Sequence, residues 1–130
     1  MGAEGVRVLD VGQCAMDHTN ISQLLRESFG ATVDRAASAD QVFYMAGFYT
    51  YDLVLVNRVF DADGSEGLAL IKRLKEEEST RETPVMLISD REDAQALAEA
   101  AGAVRGFGKK SLGDPKTVEL LGKHLHPGSA

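Results

Sequence analysis

The sequence predicts a doubly wound parallel α/β sheet, and three observations carry that reading. Short apolar runs such as Leu53–Val56 and Val85–Ile88 lack polar alternation, as strands buried on both faces do. Between the runs lie amphipathic segments at helical spacing, and Gly, Pro, Ser and Asp punctuate the joins. Five strands alternating with five helices build one parallel sheet with helices on both faces, and its chemistry belongs at the C-terminal strand ends.

Taken in order, Val6 to Val11 reads as the first strand, and Asn20 to Phe29 as a helix with Ile21, Leu24, Leu25 and Ser28 inward and Gly30 closing it. Ala31 to Ala36 is a short second strand. Ser38 or Asp40 caps a second helix that runs to about Ala46 before Gly47. Leu53 to Val56 is the third strand, followed by a helix from about Ser65 to Glu78 that places Leu68, Ile71 and Leu74 on one side. Pro84 opens the fourth strand, Val85 to Ile88. Asp90 with Asp93 resembles a capping box for an Ala-rich helix ending near Ala101. Val104 to Phe107 is the fifth strand, and Asp114-Pro115 supplies the cap and first-turn proline of a last helix carrying Val118, Leu121 and Leu125. The ends, about 1–5 and 127–130, read as frayed.

The 130 residues, 44% hydrophobic and 26% charged, match one domain with a real core. A net charge of −6 argues against nucleic acid, which needs a clustered basic surface. Lys109-Lys110, with Arg105 nearby, is the one close basic cluster. A single cysteine, Cys14, excludes an internal disulfide, and no segment has the roughly 18 apolar residues of a membrane span. The N-terminus has no apolar stretch of signal-peptide type. The expectation is a cytoplasmic protein that binds neither nucleic acid nor membrane and is not an enzyme.

The third strand delivers one polar residue, Asn57, to the end of the sheet. In order and approximate spacing, Asp52–Asn57 (DLVLVN), Gly67 at the third helix, Pro84–Ser89 (PVMLIS) and Gly102–Lys110 (GAVRGFGKK) are similar to bacterial response-regulator receiver domains. The resemblance covers nearly the whole chain. It implies a flavodoxin-like fold of strand order 2-1-3-4-5 and a place in two-component or phosphorelay signal transduction.

The resemblance also assigns positions. Asn57 stands at the phosphoacceptor position, and Gly12 and Gln13 stand where the family carries its Mg²⁺-binding acid pair. Ser89 keeps the hydroxyl after strand four, Phe107 falls on the aromatic switch position, and Lys110 is the simplest choice for the family lysine, with Lys109 competing. A carboxamide is a poor nucleophile, and Mg²⁺ favours hard carboxylate oxygens, so phosphoryl transfer lacks both nucleophile and cation. The expectation is a pseudo-receiver without cofactor, binding Mg²⁺ weakly or not at all, with Phe107 buried between strand five and helix four. Lys110 is expected to donate to the Asn57 side-chain oxygen or a nearby carbonyl. Its partner would be a protein: a histidine kinase, an output domain or a second copy through the helix 4–strand 5–helix 5 face. Surface candidates there are Arg91, Glu92, Gln95, Glu99, Arg105 and Lys109. The alternative is a receiver still phosphorylated through a displaced carboxylate, with Asp10 or Asp17 assisting.

Other clusters carry plainer readings. Asp61–Ser65 opens like a calcium loop, but its twelfth position is Lys72, where a bidentate glutamate is needed, so it reads as a polar loop. His124 and His126 read as a helix end, and Cys14 as an inert residue in the loop after the first strand. Asp17-His18, in that same loop, lacks the spacing and glycine of a cobalamin-ligating motif. Tyr44, Phe48 and Tyr49 are a candidate partner patch within a mostly packing aromatic stretch.

Overall fold

A computed structural model describes residues 5–125. The elements follow the expected alternation: β1 (Arg7–Val11), α1 (Ala15–Phe29), β2 (Thr32–Ala36), α2 (Ala39–Ala46), β3 (Leu53–Asn57), α3 (Gly67–Glu76), β4 (Val85–Ile88), α4 (Glu92–Ala100), β5 (Val104–Phe107) and α5 (Pro115–Gly122). The strands form one parallel sheet in the order β2-β1-β3-β4-β5, the flavodoxin-like topology. The expected frayed ends, Gly5 excepted, and His126 lie outside the described residues.

Strand parity splits the core into two layers. Leu9, Val54, Val56, Val85 and Leu87 pack with Val42 of α2, Ile71 and Leu74 of α3 and Ala98 of α4. Val8, Leu53, Leu55, Met86 and Ile88 pack on the other face with Ile21 and Leu25 of α1 and Leu121 of α5. Each of these side chains is buried, so the sheet is covered on both sides.

Three boundaries differ from expectation, each for a local reason. Helix α1 begins at Ala15, more than a turn before Asn20, because Cys14 caps it: its Sγ accepts from the Asp17 N–H at 3.5 Å. Asp17 and His18 are therefore helical, and Ser22 and Phe29 are buried where Ser28 was expected inward; Ser28 is exposed. Asp90 does not cap α4. Its carboxylate accepts from the Lys110 N–H at 3.4 Å, and Arg91 occupies the N-cap with no side-chain bond that caps the helix. Helix α3 starts at Gly67, whose N–H donates to the Arg58 carbonyl at 2.8 Å. At α2 the cap is Ser38, whose Oγ accepts from the Gln41 N–H at 3.3 Å, and at α5 it is Asp114.

Gly67 sets how closely α3 approaches the end of β3. A Cβ there would lie 2.2 Å from the Asn57 carbonyl oxygen and 2.8 Å from Val56 Cγ1. Gly67→Ala therefore destabilises the fold by about 1–3 kcal/mol, overpacking outweighing the gain of about 1 kcal/mol in helix propensity. Urea denaturation of the two chains measures this; an unchanged or raised midpoint refutes the close approach.

Candidate functional site

The C-terminal ends of β1, β3, β4 and β5 meet where parallel α/β sheets place their sites. Asn57 lies at the centre. Its Nδ2 donates to the Gly12 carbonyl at 3.0 Å and to the Val59 carbonyl at 2.7 Å. The Gly12 carbonyl also accepts from the Asp61 N–H at 2.9 Å. One amide group thus ties the end of β1 to the loop that follows β3. A carboxylate has no hydrogen to offer either carbonyl.

The surrounding loop is built for this arrangement. Gly12 has φ +82°, and its missing Cβ leaves room for the Phe60 ring, which would come within 2.4 Å of a Cβ. Phe60 is buried there, and its N–H donates to the Ser65 carbonyl at 2.8 Å. Asp63 turns the loop by accepting from the Ser65 N–H at 2.9 Å. Asp61–Ser65 is thus a structured turn. Among the described residues no group of three or more His, Cys, Asp or Glu is placed to hold a metal ion.

Ser89, Lys109, Lys110 and Phe107 stand in different surroundings. Ser89 reaches the site: its N–H donates to the Phe107 carbonyl at 2.9 Å and its Oγ accepts from the Arg91 N–H at 3.1 Å. Lys109, not Lys110, lines the same cleft as Asn57 and Ser89, and Lys110 is exposed. The Lys109 ammonium pairs with Asp17 at 2.7 Å, which holds the Asp17 carboxyl below its usual range. The expectation that Lys110 donates to the Asn57 side-chain oxygen or a nearby carbonyl is not met by any contact of its side chain.

Phe107 is buried, but on the α1/α5 face with Ile88 and Leu121, not against α4. The cause is a bulge: Met86 pairs with Val104 and Ile88 with Phe107, so β5 takes three steps where β4 takes two. Gln95, expected at the surface, is buried at 4% exposure in the gap. Its Nε2 donates to the carbonyls of Leu87 (2.9 Å) and Ser89 (3.0 Å), and its Oε1 accepts from the Gly106 N–H (3.0 Å). A buried amide with three good bonds clamps α4 to β4 and β5. The other surface candidates differ in exposure: Arg91, Glu92 and Glu99 are exposed, Arg105 and Lys109 are half-exposed, and Arg105 pairs with Glu92 and with Glu99 (2.8 Å).

Neither Asp10 nor Asp17 is placed to complete a Mg²⁺ site. Gln13 is buried, and neither atom of its amide group makes a hydrogen bond within the described residues. Asp10 is fully buried on the α1 face, where its Oδ2 meets His18 Nδ1 at 2.7 Å; His18 Nε2 lies 3.2 Å from Ser22 Oγ. Burial raises the Asp10 pKa, and the His18 hydrogen bond offsets part of that rise. Asp17 is committed to Lys109. Among the described residues a hard, octahedral cation has no set of carboxylates at the strand ends, so the residues present do not fit it.

Asn57→Asp is expected to cost about 2–4 kcal/mol at pH 7, because two hydrogen bonds are lost and an anion faces two carbonyl oxygens. That repulsion raises the new carboxyl's folded pKa above its unfolded value of about 3.9; its contribution is fully present below that value and lost as pH rises through the folded pKa. The deficit therefore shrinks toward pH 4, as urea midpoints across pH will show; a pH-independent or absent deficit contradicts it. The same sign applies to Asp10 in the native chain. Its raised pKa gives stability that is lost as pH climbs above the ordinary value of 3.8, so Asp10→Asn gains on the native chain as pH rises. A stability difference that is flat in pH refutes the burial of an ionisable Asp10.

No family model matches the chain, and no curated protein is similar to it in sequence. Solved structures are similar in fold. A protein described as a response regulator from Chloroflexus aurantiacus superposes with TM-score 0.77 at 19% identity, over 92% of this chain and 97% of that one. Chemotaxis protein CheY4 of Vibrio cholerae gives 0.74 at 17% identity, over 94% and 100%. The receiver domain of a sensor histidine kinase from Pseudomonas aeruginosa, solved with magnesium coordinated in its active-site cleft, gives 0.71 at 18% identity, over 93% and 98%. The chain therefore has the fold of the response-regulator receiver domains, and carries Asn57 at the end of β3.

Proposed function

We propose that the chain is a receiver-like module of two-component signal transduction that acts by binding a protein and is not phosphorylated at position 57. The observation that carries this reading is the Asn57 amide, whose two N–H groups are both engaged by backbone carbonyls. A nucleophile is absent, and so are the carboxylates that would hold the cation neutralising a transferred phosphoryl group. Supporting it, Gly12 cannot become an aspartate without displacing Phe60 and straining a left-handed backbone, so the acid pair cannot be restored by side-chain exchange alone. The alternative through Asp10 is disfavoured because that carboxylate is fully buried against His18. The alternative through Asp17 would need the Lys109 pair to break.

The face offered to a partner is the one formed by α4, β5 and α5, where Arg91, Glu92, Glu99 and Arg105 stand at the surface. In receivers this face answers to phosphorylation; here Gln95 fastens α4 to β4 and β5 without any phosphoryl group. The module accordingly holds one state where a two-state receiver would exchange between two. The patch of Tyr44 and Phe48, exposed and edge-to-face at 5.0 Å, is a second surface open to contact.

Acetyl phosphate or beryllofluoride with millimolar Mg²⁺ is expected to leave intact mass and amide resonances unchanged, and Asn57→Asp alone is expected to label poorly. An added phosphoryl mass on the native chain, or efficient labelling of the single variant, overturns the reading.

A further inference from the structure

Between α2 and β3 the chain exposes a strip of aromatic rings that the strand-end site does not use. Residues 36–57 hold five aromatic side chains, Phe43, Tyr44, Phe48, Tyr49 and Tyr51, and two charged ones, Asp40 and Asp52, both acidic. Arginines from other elements cover two of the rings. The Arg73 guanidinium of α3 stands over Phe43 at 4.3 Å, and that of Arg7 in β1 over Tyr49 at 4.1 Å, both as cation–π contacts. Tyr44 and Phe48 are 70% and 68% exposed, and among the described residues no cation lies over either ring.

The two open rings are held in place. Phe48 packs edge-to-face on Tyr44 at 5.0 Å, and the turn that carries it is fastened to the end of α2. There the Gly47 N–H donates to the Tyr44 carbonyl at 3.2 Å, and the Phe48 and Tyr49 N–H groups both donate to the Met45 carbonyl at 3.0 Å. Aromatic anchors fixed in advance lose little ordering entropy when a partner arrives. The charge beside them is one-sided. Asp40 is exposed one helical turn before Tyr44, on the same side of α2, and makes no ion pair among the described residues. The last turn of α2, the negative end of its dipole, carries no basic residue. The nearby arginines are engaged elsewhere: Arg7 pairs with Asp34 at 2.6 Å, and Arg73 lies over Phe43. Arg35 is in register with Asp10 and so lies on the α1 face of the sheet, away from α2.

We propose that the outer side of α2 is a docking surface for an arginine presented by a partner protein, its guanidinium stacking on Tyr44 beside Phe48 and its fork meeting the Asp40 carboxylate. A planar guanidinium can stack on a ring and give a carboxylate two N–H groups at once, which a lysine ammonium cannot do. The covered rings of the same strip, Phe43 and Tyr49, already carry that stacking with the chain's own arginines. The occupant is therefore a basic segment of another protein. A second copy of this chain is the poorer match, since it brings a further net charge of −6. This inference rests on the reading that the chain acts by binding protein, and it requires nothing of position 57.

The test is an NMR titration of the native chain with the blocked pentapeptide Gly-Arg-Gly-Arg-Gly and with its lysine and citrulline counterparts, following amide and aromatic-ring resonances. For the arginine peptide, saturable shifts centred on Asp40, Tyr44 and Phe48 are expected. It should bind at least about threefold tighter than the lysine peptide, and the citrulline peptide, which keeps the shape and loses the charge, should not saturate. Asp40→Asn and Tyr44→Ala, both at exposed positions, should each weaken the arginine peptide at least about threefold, and Tyr44→Phe should retain it, with the amide spectrum native in all three. No saturable shift, equal affinity for the lysine or citrulline peptide, or unchanged affinity in Asp40→Asn overturns the inference. Shifts of the Tyr44 and Phe48 rings on dilution of the chain alone assign the surface to a second copy and also overturn it. Saturable binding centred on α4, β5 and α5 overturns the site on α2 and leaves the protein-binding reading standing.

Discussion

The Asn57 carboxamide directs both of its N–H groups onto backbone carbonyls, one at the end of β1 and one two residues downstream of itself. Neither bond has an equivalent with a carboxylate, whose oxygens only accept. The rest of the strand-end architecture is arranged around that pair. The Gly12 carbonyl is positioned by a left-handed backbone; the space beside it is filled by Phe60; and the loop carrying Phe60 returns through the Ser65 and Arg58 carbonyls to launch α3 at Gly67. A site that accepts a phosphoryl group keeps its central oxygens accessible. Here the central side chain is a structural tie.

The electrostatics of the strand ends follow from local pairings. Lys109, which lines the cleft, pairs with Asp17 on the first turn of α1. Asp10 has withdrawn into the α1 layer with His18 and Ser22, where burial penalises its charge. Asp10 and Asp17 are thus each occupied by a neighbour of their own, while Asp90, Arg58, Arg91 and Lys109 line the cleft.

The sheet was legible because its signals are long and redundant: unbroken apolar runs for β3 and β4, and caps at Ser38 and Asp114. The resemblance to receivers added the strand order. What escaped were features set by single contacts. No helix-start pattern marks Cys14 as a cap, since a thiol is a poor acceptor, and the Asp90–Asp93 pair mimicked a cap it does not form. The β5 bulge cannot be read from Val104–Phe107, yet it turns Phe107 to the α1/α5 layer and opens the gap that Gln95 fills. Gly106, flanked by two side-chain-bearing residues in a four-residue strand, was the one hint that a helix or backbone approaches closely there. Gln95 itself looked like surface because its polarity was visible and its three partners were not. At the site, the identity of Asn57 was plain in the sequence, but its two acceptors were not.

The most direct measurement is of scalar couplings across hydrogen bonds from the Asn57 side-chain nitrogen in a uniformly ¹⁵N,¹³C-labelled chain. Measurable couplings from Nδ2 to the carbonyl carbons of Gly12 and Val59 are expected, with both amide protons protected from solvent exchange. A side chain whose two protons exchange at the free-amide rate, or one that couples to neither carbonyl, would contradict this expectation.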